Sequence, residues 1–118
     1  MMHDAPMFSL SGMVVDGFVN DVYDGDYIKV VFPIHGNYYK WNLRLNGVDS
    51  PEIRTRDHQE NVKGFASRDA LKEKIAKKHV ILKLYDFDKY GRLLGDVYLE
   101  DENINEWLIK NGHAIVYL

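Results

Sequence analysis

Acidic and arginine side chains are concentrated in the stretch RLNGVDSPE, residues 44–52. Arg44 lies near the end of a β-like run, and Asp49 and Glu52 flank the Ser-Pro turn that follows it. A further acid, Asp26, closes an earlier turn in the stretch YDGD. A fold that joined the two turns could place three carboxylates at one point. Carboxylates and a backbone carbonyl are the ligands of hard cations and not of zinc, so these residues alone leave calcium and magnesium open.

A second polar concentration is DKYGR, residues 88–92, between two β-like runs. Taken alone, this stretch is most simply a hairpin turn with charged ends, and DGD and DSPE are also common turns. Other chemistry has less support. The five histidines are scattered without the spacing of metal ligands, and there is no cysteine. The sequence also lacks a glycine-rich phosphate loop followed by Lys and Ser/Thr, and it lacks a nucleophile elbow.

Composition bounds the class of protein. The 118 residues, 46% of them hydrophobic, predict a single domain over residues 1–118 with a core of its own. The net charge of −3 argues against a tight nucleic-acid binder, which usually carries a basic excess. Residues 54–83 are nevertheless basic, with nine Lys/Arg against four acids. The simplest explanation is a solvated helix face, and guidance of a substrate strand is the alternative.

The amino-terminal stretch has an acid where a signal peptide requires positive charge, and no run of membrane-spanning length follows. We therefore expect a soluble, intracellular monomer without membrane contact. Residues 1–12 are expected to form a flexible amino-terminal segment.

Short β-like runs at residues 13–22, 27–34 and 37–48 predict three strands, joined by hairpin turns at Asp24-Gly25 and at HGN, residues 35–37. The third run alternates cleanly, which puts Arg44 on the face opposite its apolar residues. Those apolar residues are Tyr39, Trp41, Leu43 and Leu45.

After the Ser-Pro turn, the residues of IRTRDHQENVK predict a polar loop, and residues 64–78 predict a helix with a basic last turn. HVILKLYDF and RLLGDVYLE predict two more strands. A short second helix follows, with Asn103 as its N-cap, Glu106 three residues later and Gly112 as its C-terminal stop.

This order of elements predicts a mainly β protein of the α+β class. Five short strands, a helix between the third and fourth strands and a short C-terminal helix match a five-stranded Greek-key barrel of the OB-fold type, which often binds oligonucleotides. A fold alone does not assign a function, so the site must do so.

The four motifs DGD, RLNGVDSPE, DKYGR and NEWLIKNGHA, in this order and spacing, resemble the staphylococcal nuclease (thermonuclease) family. The resemblance runs from about Gly17 to Tyr117. Each motif is weak alone, but all four fall where the predicted strands and helices require them. The family's fold is an OB-type five-stranded barrel with packed helices, which agrees with the order of elements found above.

The resemblance implies a calcium-dependent endonuclease that cleaves DNA or RNA, preferably single-stranded, and leaves 3′-phosphates. In the family, calcium is bound by residues that match Asp26 and Asp49, and by a backbone carbonyl that matches that of Ser50. Glu52 matches the family's proposed general base. The arginines that grip the scissile phosphate match Arg44 and Arg92.

Lys89 and Tyr90 match positions that contact the phosphate of the nucleotide in relatives. The family continues past the position of Leu118 into a tyrosine-bearing segment and a third helix. In this chain Tyr117 is the candidate for a ring that stacks on a base.

The alternative function is a non-catalytic barrel that binds nucleic acid or protein. Such relatives tend to have lost members of the acid and arginine set, and all five are present here. A third alternative is a partner-binding barrel without nucleic acid.

Overall fold

The computed structural model of the chain describes residues 1–117. Five strands form a closed barrel: β1 (Val14–Asp24), β2 (Tyr27–Ile34), β3 (Asn37–Leu45), β5 (His79–Phe87) and β6 (Leu93–Leu99). Their order is β3-β2-β1-β5-β6, and a parallel pairing of β3 with β6 closes the ring. All the other barrel pairings are antiparallel. The predicted five-stranded barrel of the α+β class is confirmed.

Three two-residue strands were not predicted: β4 (Val48–Asp49), β7 (Glu102–Asn103) and β8 (Ile115–Val116). Strand β4 pairs with β8 and β7 pairs with β6. The predicted third strand therefore ends at Leu45, and a turn at Asn46 and Gly47 separates it from β4. A two-residue strand is too short to show an alternating pattern, so it can be recognised only from its pairing with another strand.

Both hairpins are present. The first loop consists of Gly25 and Asp26, one residue later than predicted, because Asp24 still pairs with Tyr27. The second loop is His35-Gly36, with φ of 49° and 83°. Two successive positive φ values are typical of the type I′ turn, which matches the twist of the flanking strands.

Helix α1 (His58–Ile75) begins six residues before the predicted start and ends three residues before the predicted end. Its N-cap is Asp57, whose carboxylate accepts hydrogen bonds from the N–H groups of Gln59 and Glu60. After Ile75 the chain leaves the helix to pair with Val19 of β1, which explains the early end. The prediction of a polar loop over these first helical residues was wrong.

Helix α2 (Ile104–Lys110) has the predicted N-cap, because Asn103 Oδ1 accepts a hydrogen bond from the N–H of Glu106 at 3.0 Å. Gly112, at φ 74°, follows the helix end as predicted. Neither α1 nor α2, within the part of the chain that is described, combines the length and apolar character needed to cross a bilayer.

The core fills the barrel and the interfaces beneath both helices. It includes alternate residues of the strands and the buried stripes of the helices: Val19, Ile28, Val30, Phe32, Leu43, Leu45, Leu71, Ile75, Leu82, Leu84, Leu93, Val97, Ile104 and Leu108. On the predicted apolar face of β3, Leu43 and Leu45 are buried, Trp41 is half-buried and Tyr39 is exposed. The alternation holds, but the end of β3 near the hairpin extends past the core.

Near the amino terminus, Leu10 is buried and Ser9 donates a hydrogen bond to Asp86 at 2.7 Å. The flexibility predicted for residues 1–12, the single domain and the monomeric state stay predictions.

Candidate active site

Arg44 is the centre of the first polar group. Its guanidinium donates hydrogen bonds to the backbone carbonyls of Leu45 (3.0 Å) and Val48 (2.8 Å). These two bonds hold the turn that follows β3. One of its nitrogens, Nη2, lies 3.4 Å from Asp26 Oδ2 and 3.5 Å from Asp49 Oδ1. The side chain is only 12% exposed. The family resemblance had implied that these three residues belong to one site, and the structure brings both carboxylates to one nitrogen of Arg44.

The β1–β2 turn packs directly on the Ser-Pro turn. The N–H of Ser50 donates to Asp26 Oδ2 at 3.1 Å. A Cβ atom on Gly25 would lie 2.9 Å from the Cβ atoms of both Ser50 and Ser67. Only glycine permits this approach, so the residue before Asp26 is fixed by close packing and not by a positive φ.

Burial raises the pKa of Asp26 above its ordinary value, and the charges of Asp24 and Asp49 add to this effect. The hydrogen bond from Ser50 and the positive charge of Arg44 oppose it without cancelling it. The site therefore holds a carboxylate, 13% exposed, whose ionised form is not fully compensated by its protein neighbours. This is an environment in which an added cation is favoured.

The expectation that three carboxylates meet was wrong. Within residues 1–117, no group of three or more His, Asp or Glu side chains lies close enough together to hold a metal ion. The carboxylates that meet are those of Asp26 and Asp49, while Glu52 is exposed on the next stretch of loop. Two carboxylates with the adjoining backbone of Ser50 still offer only oxygen ligands, which fit a hard cation.

Helix α1 holds the Glu52 loop. Asn61 donates a hydrogen bond to the carbonyl of Ile53 at 2.6 Å, and Glu60 accepts a longer one, 3.4 Å, from the N–H of Glu52. A Cβ atom on Gly64 would lie 2.7 Å from the Glu52 carbonyl oxygen. The early helical start that the sequence reading missed is thus the part of α1 that positions Glu52.

Asp88 organises the second polar group, DKYGR, a role that the sequence analysis did not assign. Its Oδ1 accepts from the N–H groups of Tyr90 and Arg92, and its Oδ2 accepts from Arg92 Nε, all at 2.9 Å. Burial opposes its ionisation, but these bonds and the Arg92 charge outweigh burial and lower the pKa of Asp88. The N–H donors lie two and four residues after Asp88. An Asp at the start of such a turn is an ordinary Asx-turn signal, which could have indicated this role.

The parallel seam between β3 and β6 brings the two polar groups together. Arg44 lies opposite Leu94 in the register, and Arg92 directly precedes β6, two residues before Leu94, so the two arginines lie at the same end of the seam. Between them lies a cavity of about 280 Å³. Its charged and aromatic lining residues are Arg44, Asp88, Lys89, Tyr90, Arg92 and Tyr117. Three of the lining side chains are cationic and one is acidic, although Asp26 and Asp49 lie against the Arg44 guanidinium from outside the cavity.

The aromatic rings at this cavity lie close to the cationic groups. Tyr90 is 71% exposed, and its ring centre lies 5.4 Å from the Arg92 guanidinium and 5.2 Å from the Lys89 ammonium. Tyr117 reaches the site because its N–H bonds the carbonyl of Gly47, next to the β4–β8 pair. Its ring centre lies 5.3 Å from the Arg44 guanidinium.

A buried amide supports the cavity from below. Asn105 of α2 accepts a hydrogen bond from the N–H of Val97 and donates to the carbonyls of Asn46 and Gly95, at 2.9 to 3.2 Å. It therefore joins the end of β3 to β6. Asn105 belongs to the NEWLIKNGHA motif, but its polar type gave no indication that it is buried.

Comparison with known proteins agrees with this arrangement. The family model described as "Staphylococcal nuclease homologue" matches residues 42–118. That stretch includes every predicted site residue except Asp26, which precedes it. The place of Asp26 in the site rests on its contacts with Ser50 and Arg44.

Individual relatives show the same likeness. A rice (Oryza sativa subsp. japonica) protein named "Probable staphylococcal-like nuclease CAN3" is 39% identical over 75 residues, 64% of this chain and 18% of the rice protein. An Escherichia coli O157:H7 protein named "Uncharacterized endonuclease" is 35% identical over 104 residues, 87% of this chain and 61% of that protein. "Staphylococcal-like nuclease CAN1" of Arabidopsis thaliana is 32% identical over 79 residues, 67% of this chain and 23% of that protein.

The chain thus spans about a fifth of the length of the plant relatives and three fifths of the bacterial one. The family model covers well over half of the chain, and its matched stretch contains both arginines and the Asp-Ser-Pro-Glu turn. On this evidence the chain belongs to the family of staphylococcal nuclease homologues.

Proposed function

We propose that the chain is a calcium-dependent endonuclease that hydrolyses phosphodiester bonds in single-stranded DNA or RNA and leaves 3′-phosphates. The observation that carries this proposal is the pair of arginines on the β3–β6 seam, beside the carboxylates of Asp26 and Asp49. The nuclease names of the relatives support the class of reaction.

The donor set fits the proposed metal. Asp26 and Asp49, with the backbone carbonyl of Ser50, would hold calcium through oxygen atoms alone. When bound, calcium supplies positive charge that neutralises a non-bridging phosphate oxygen. Gly25 allows the two turns that carry these ligands to touch, and the raised pKa of Asp26 indicates a carboxylate in need of a further cation.

The protein side chains account for the remaining chemistry. Arg92 offers a planar fork that can donate two hydrogen bonds to phosphate. Arg44, whose Nη1 donates to the carbonyls of Leu45 and Val48, contributes its positive charge and its remaining N–H groups. Together they would stabilise the charge that accumulates on the phosphoryl oxygens. Glu52, two residues after Ser50, is exposed and would accept the proton of the attacking water. Asp88 holds Arg92 by its Nε, which leaves the two outer nitrogens free to face the cavity.

Single-stranded substrate suits the exposed rings. Tyr90 and Tyr117 flank the arginines and are well exposed, so each can stack on a base that is not paired with another strand. Lys89, at the rim of the same cavity, supplies a further charge for the phosphate backbone.

The proposal is tested by incubating the protein with single-stranded DNA or RNA, first with calcium and then with chelator. We expect cleavage only with calcium, near-complete loss of cleavage in Arg92→Ala, and full activity in Arg68→Ala, a helix-surface arginine paired with Asp69. Oligonucleotide binding without cleavage would identify a binding module instead. If neither occurs, the barrel has a partner other than nucleic acid.

A further inference from the structure

A row of aromatic and cationic side chains leads away from Arg92 along the outer face of the barrel. The ring centre of Tyr27 lies 5.6 Å from the Arg92 guanidinium. Tyr23 stacks on Tyr27, with the ring centres 5.6 Å apart and the planes inclined by 27°. The ammonium of Lys29 lies 5.2 Å from the centre of the Tyr23 ring. The contacts form one continuous series from Arg92 to Lys29.

These side chains lie outside the barrel core. Tyr23, Tyr27 and Lys29 project from β1 and β2 on the side opposite the core residues Val22 and Ile28. Tyr23 remains 38% exposed, although it contacts both of its neighbours in the row. The two rings pack on each other outside the barrel, and neither belongs to the core cluster.

The charge around the row is mixed. Asp21 lies opposite Lys29 in the β1–β2 register, and Asp24 is 3.8 Å from the exposed guanidinium of Arg54. A ligand held at this place must therefore gain more from the rings than from net charge. A nucleobase meets that condition, because every base presents a π face to a tyrosine while its phosphate can reach a lysine.

We propose that Tyr23, supported by Tyr27, forms a second base-stacking subsite, and that Lys29 binds the phosphate of the nucleotide held there. This inference rests on the proposed nuclease function. The subsite takes a base of the same single strand, beyond the nucleotides that flank the phosphate at Arg44 and Arg92. A substrate too short to reach Tyr23 gains nothing from it.

The test compares two substrates. One is a chromogenic nucleoside phosphodiester with a single base, and the other is a single-stranded oligonucleotide of about twelve nucleotides. For Tyr23→Ala we expect kcat/KM on the oligonucleotide to fall about tenfold through KM, as the loss of one base stack predicts, with no change on the short substrate. Tyr23→Phe keeps the ring and should behave as the parent protein.

The matched control is Tyr38→Ala. Tyr38 is 75% exposed on the same outer face but pairs with Pro33, six positions along β2 from Tyr27 and about 20 Å away. Tyr38→Ala should leave kcat/KM unchanged on both substrates. Equal losses on both substrates in Tyr23→Ala would mean that Tyr23 only supports Arg92, and no loss on either would mean that no base stacks there; each result overturns the subsite.

Lys29→Gln gives an independent readout. Loss of one phosphate contact should make the slope of log affinity against log salt for the oligonucleotide less steep by about 0.7, whereas an unchanged slope overturns the role of Lys29.

If the parent protein cleaves neither substrate, the nuclease proposal fails. The subsite is then judged by equilibrium binding of the oligonucleotide: weaker binding by Tyr23→Ala supports it, and equal binding or none overturns it.

Discussion

Replacing Gly64 by alanine tests whether helix α1 holds the Glu52 loop in position. At an interior helix position, alanine is favoured over glycine by about 0.5–1 kcal/mol. Propensity alone therefore predicts a more stable protein. The added Cβ, however, would lie 2.7 Å from the carbonyl oxygen of Glu52, 2.8 Å from its carbonyl carbon and 2.9 Å from the nitrogen of Ile53.

These three atoms belong to the backbone, so they cannot rotate away as the end of a flexible side chain can. Overpacking of this kind costs about 1–3 kcal/mol, which exceeds the gain in propensity. We expect Gly64→Ala to lose about 1 kcal/mol of unfolding free energy in urea denaturation. Because relief of the contact must move the Glu52 backbone, kcat should fall by about 10- to 100-fold.

Ala66→Gly is the matched control, since Ala66 is exposed on the same helix. It should also lose about 1 kcal/mol, through propensity, while keeping full kcat. Two variants of similar stability would then differ only in activity. If Gly64→Ala is more stable than the parent protein and equally active, α1 does not position Glu52 and the reasoning is refuted.

Three further predictions concern the other polar contacts. Asp88→Ala should lose about 1–2 kcal/mol of unfolding free energy. Asp88→Asn keeps an oxygen that can accept from the turn, so its main loss should be about tenfold in cleavage rate, because Arg92 is no longer held. Equal stability of the two variants would contradict this. Asn105→Leu leaves the Val97 N–H and the Asn46 carbonyl without their Asn105 partner, while the Gly95 carbonyl keeps its bond from the Asn46 N–H. The variant should lose about 2 kcal/mol of unfolding free energy in urea denaturation, so a loss under about 0.5 kcal/mol would exclude the bridging role. Burial raises the pKa of Asp26, so the folded state favours the protonated carboxyl. The stability that this protonation contributes is fully present below the ordinary pKa of 3.8 and is lost as the pH rises through the raised value. The proposed calcium site would require the ionised form of Asp26, so any increase in Tm on addition of calcium should shrink as the pH is lowered from 7 towards 4. An increase that does not depend on pH would remove Asp26 from the proposed ligand set.

Local pattern was enough to predict much of the fold. Alternation and turn residues located the strands because each strand has one face in the barrel core, as Leu43 and Leu45 show in β3. The N-cap Asn103 was found because a capping side chain acts on N–H groups only a few residues away. The start of α1 was missed although Asp57 and Glu60 form the same kind of signal, because no apolar stripe accompanies its first turns.

The site was predictable only in part. The resemblance carried by the four motifs implied that Asp26 and Arg44 belong to one site, and the structure shows the two side chains in contact. The positions of Asp88 and Asn105 depend on which backbone N–H and carbonyl groups lie within reach, and residue type alone does not give that information. The closure of the barrel by β3 and β6 is likewise a property of the whole chain and not of any segment.

That closure also has a consequence for how the site forms during folding. Leu43 and Leu93, which pair across the seam, are about fifty residues apart in the chain, so the pairing needs the other strands to be in place first. Helix α1 and the β1–β2 and β2–β3 hairpins involve neighbouring residues and can form early. We therefore expect Arg44 and Arg92 to come together only after these local elements have formed. Recovery of phosphate binding after dilution from denaturant should therefore lag behind the recovery of helix, and would report completion of the ring.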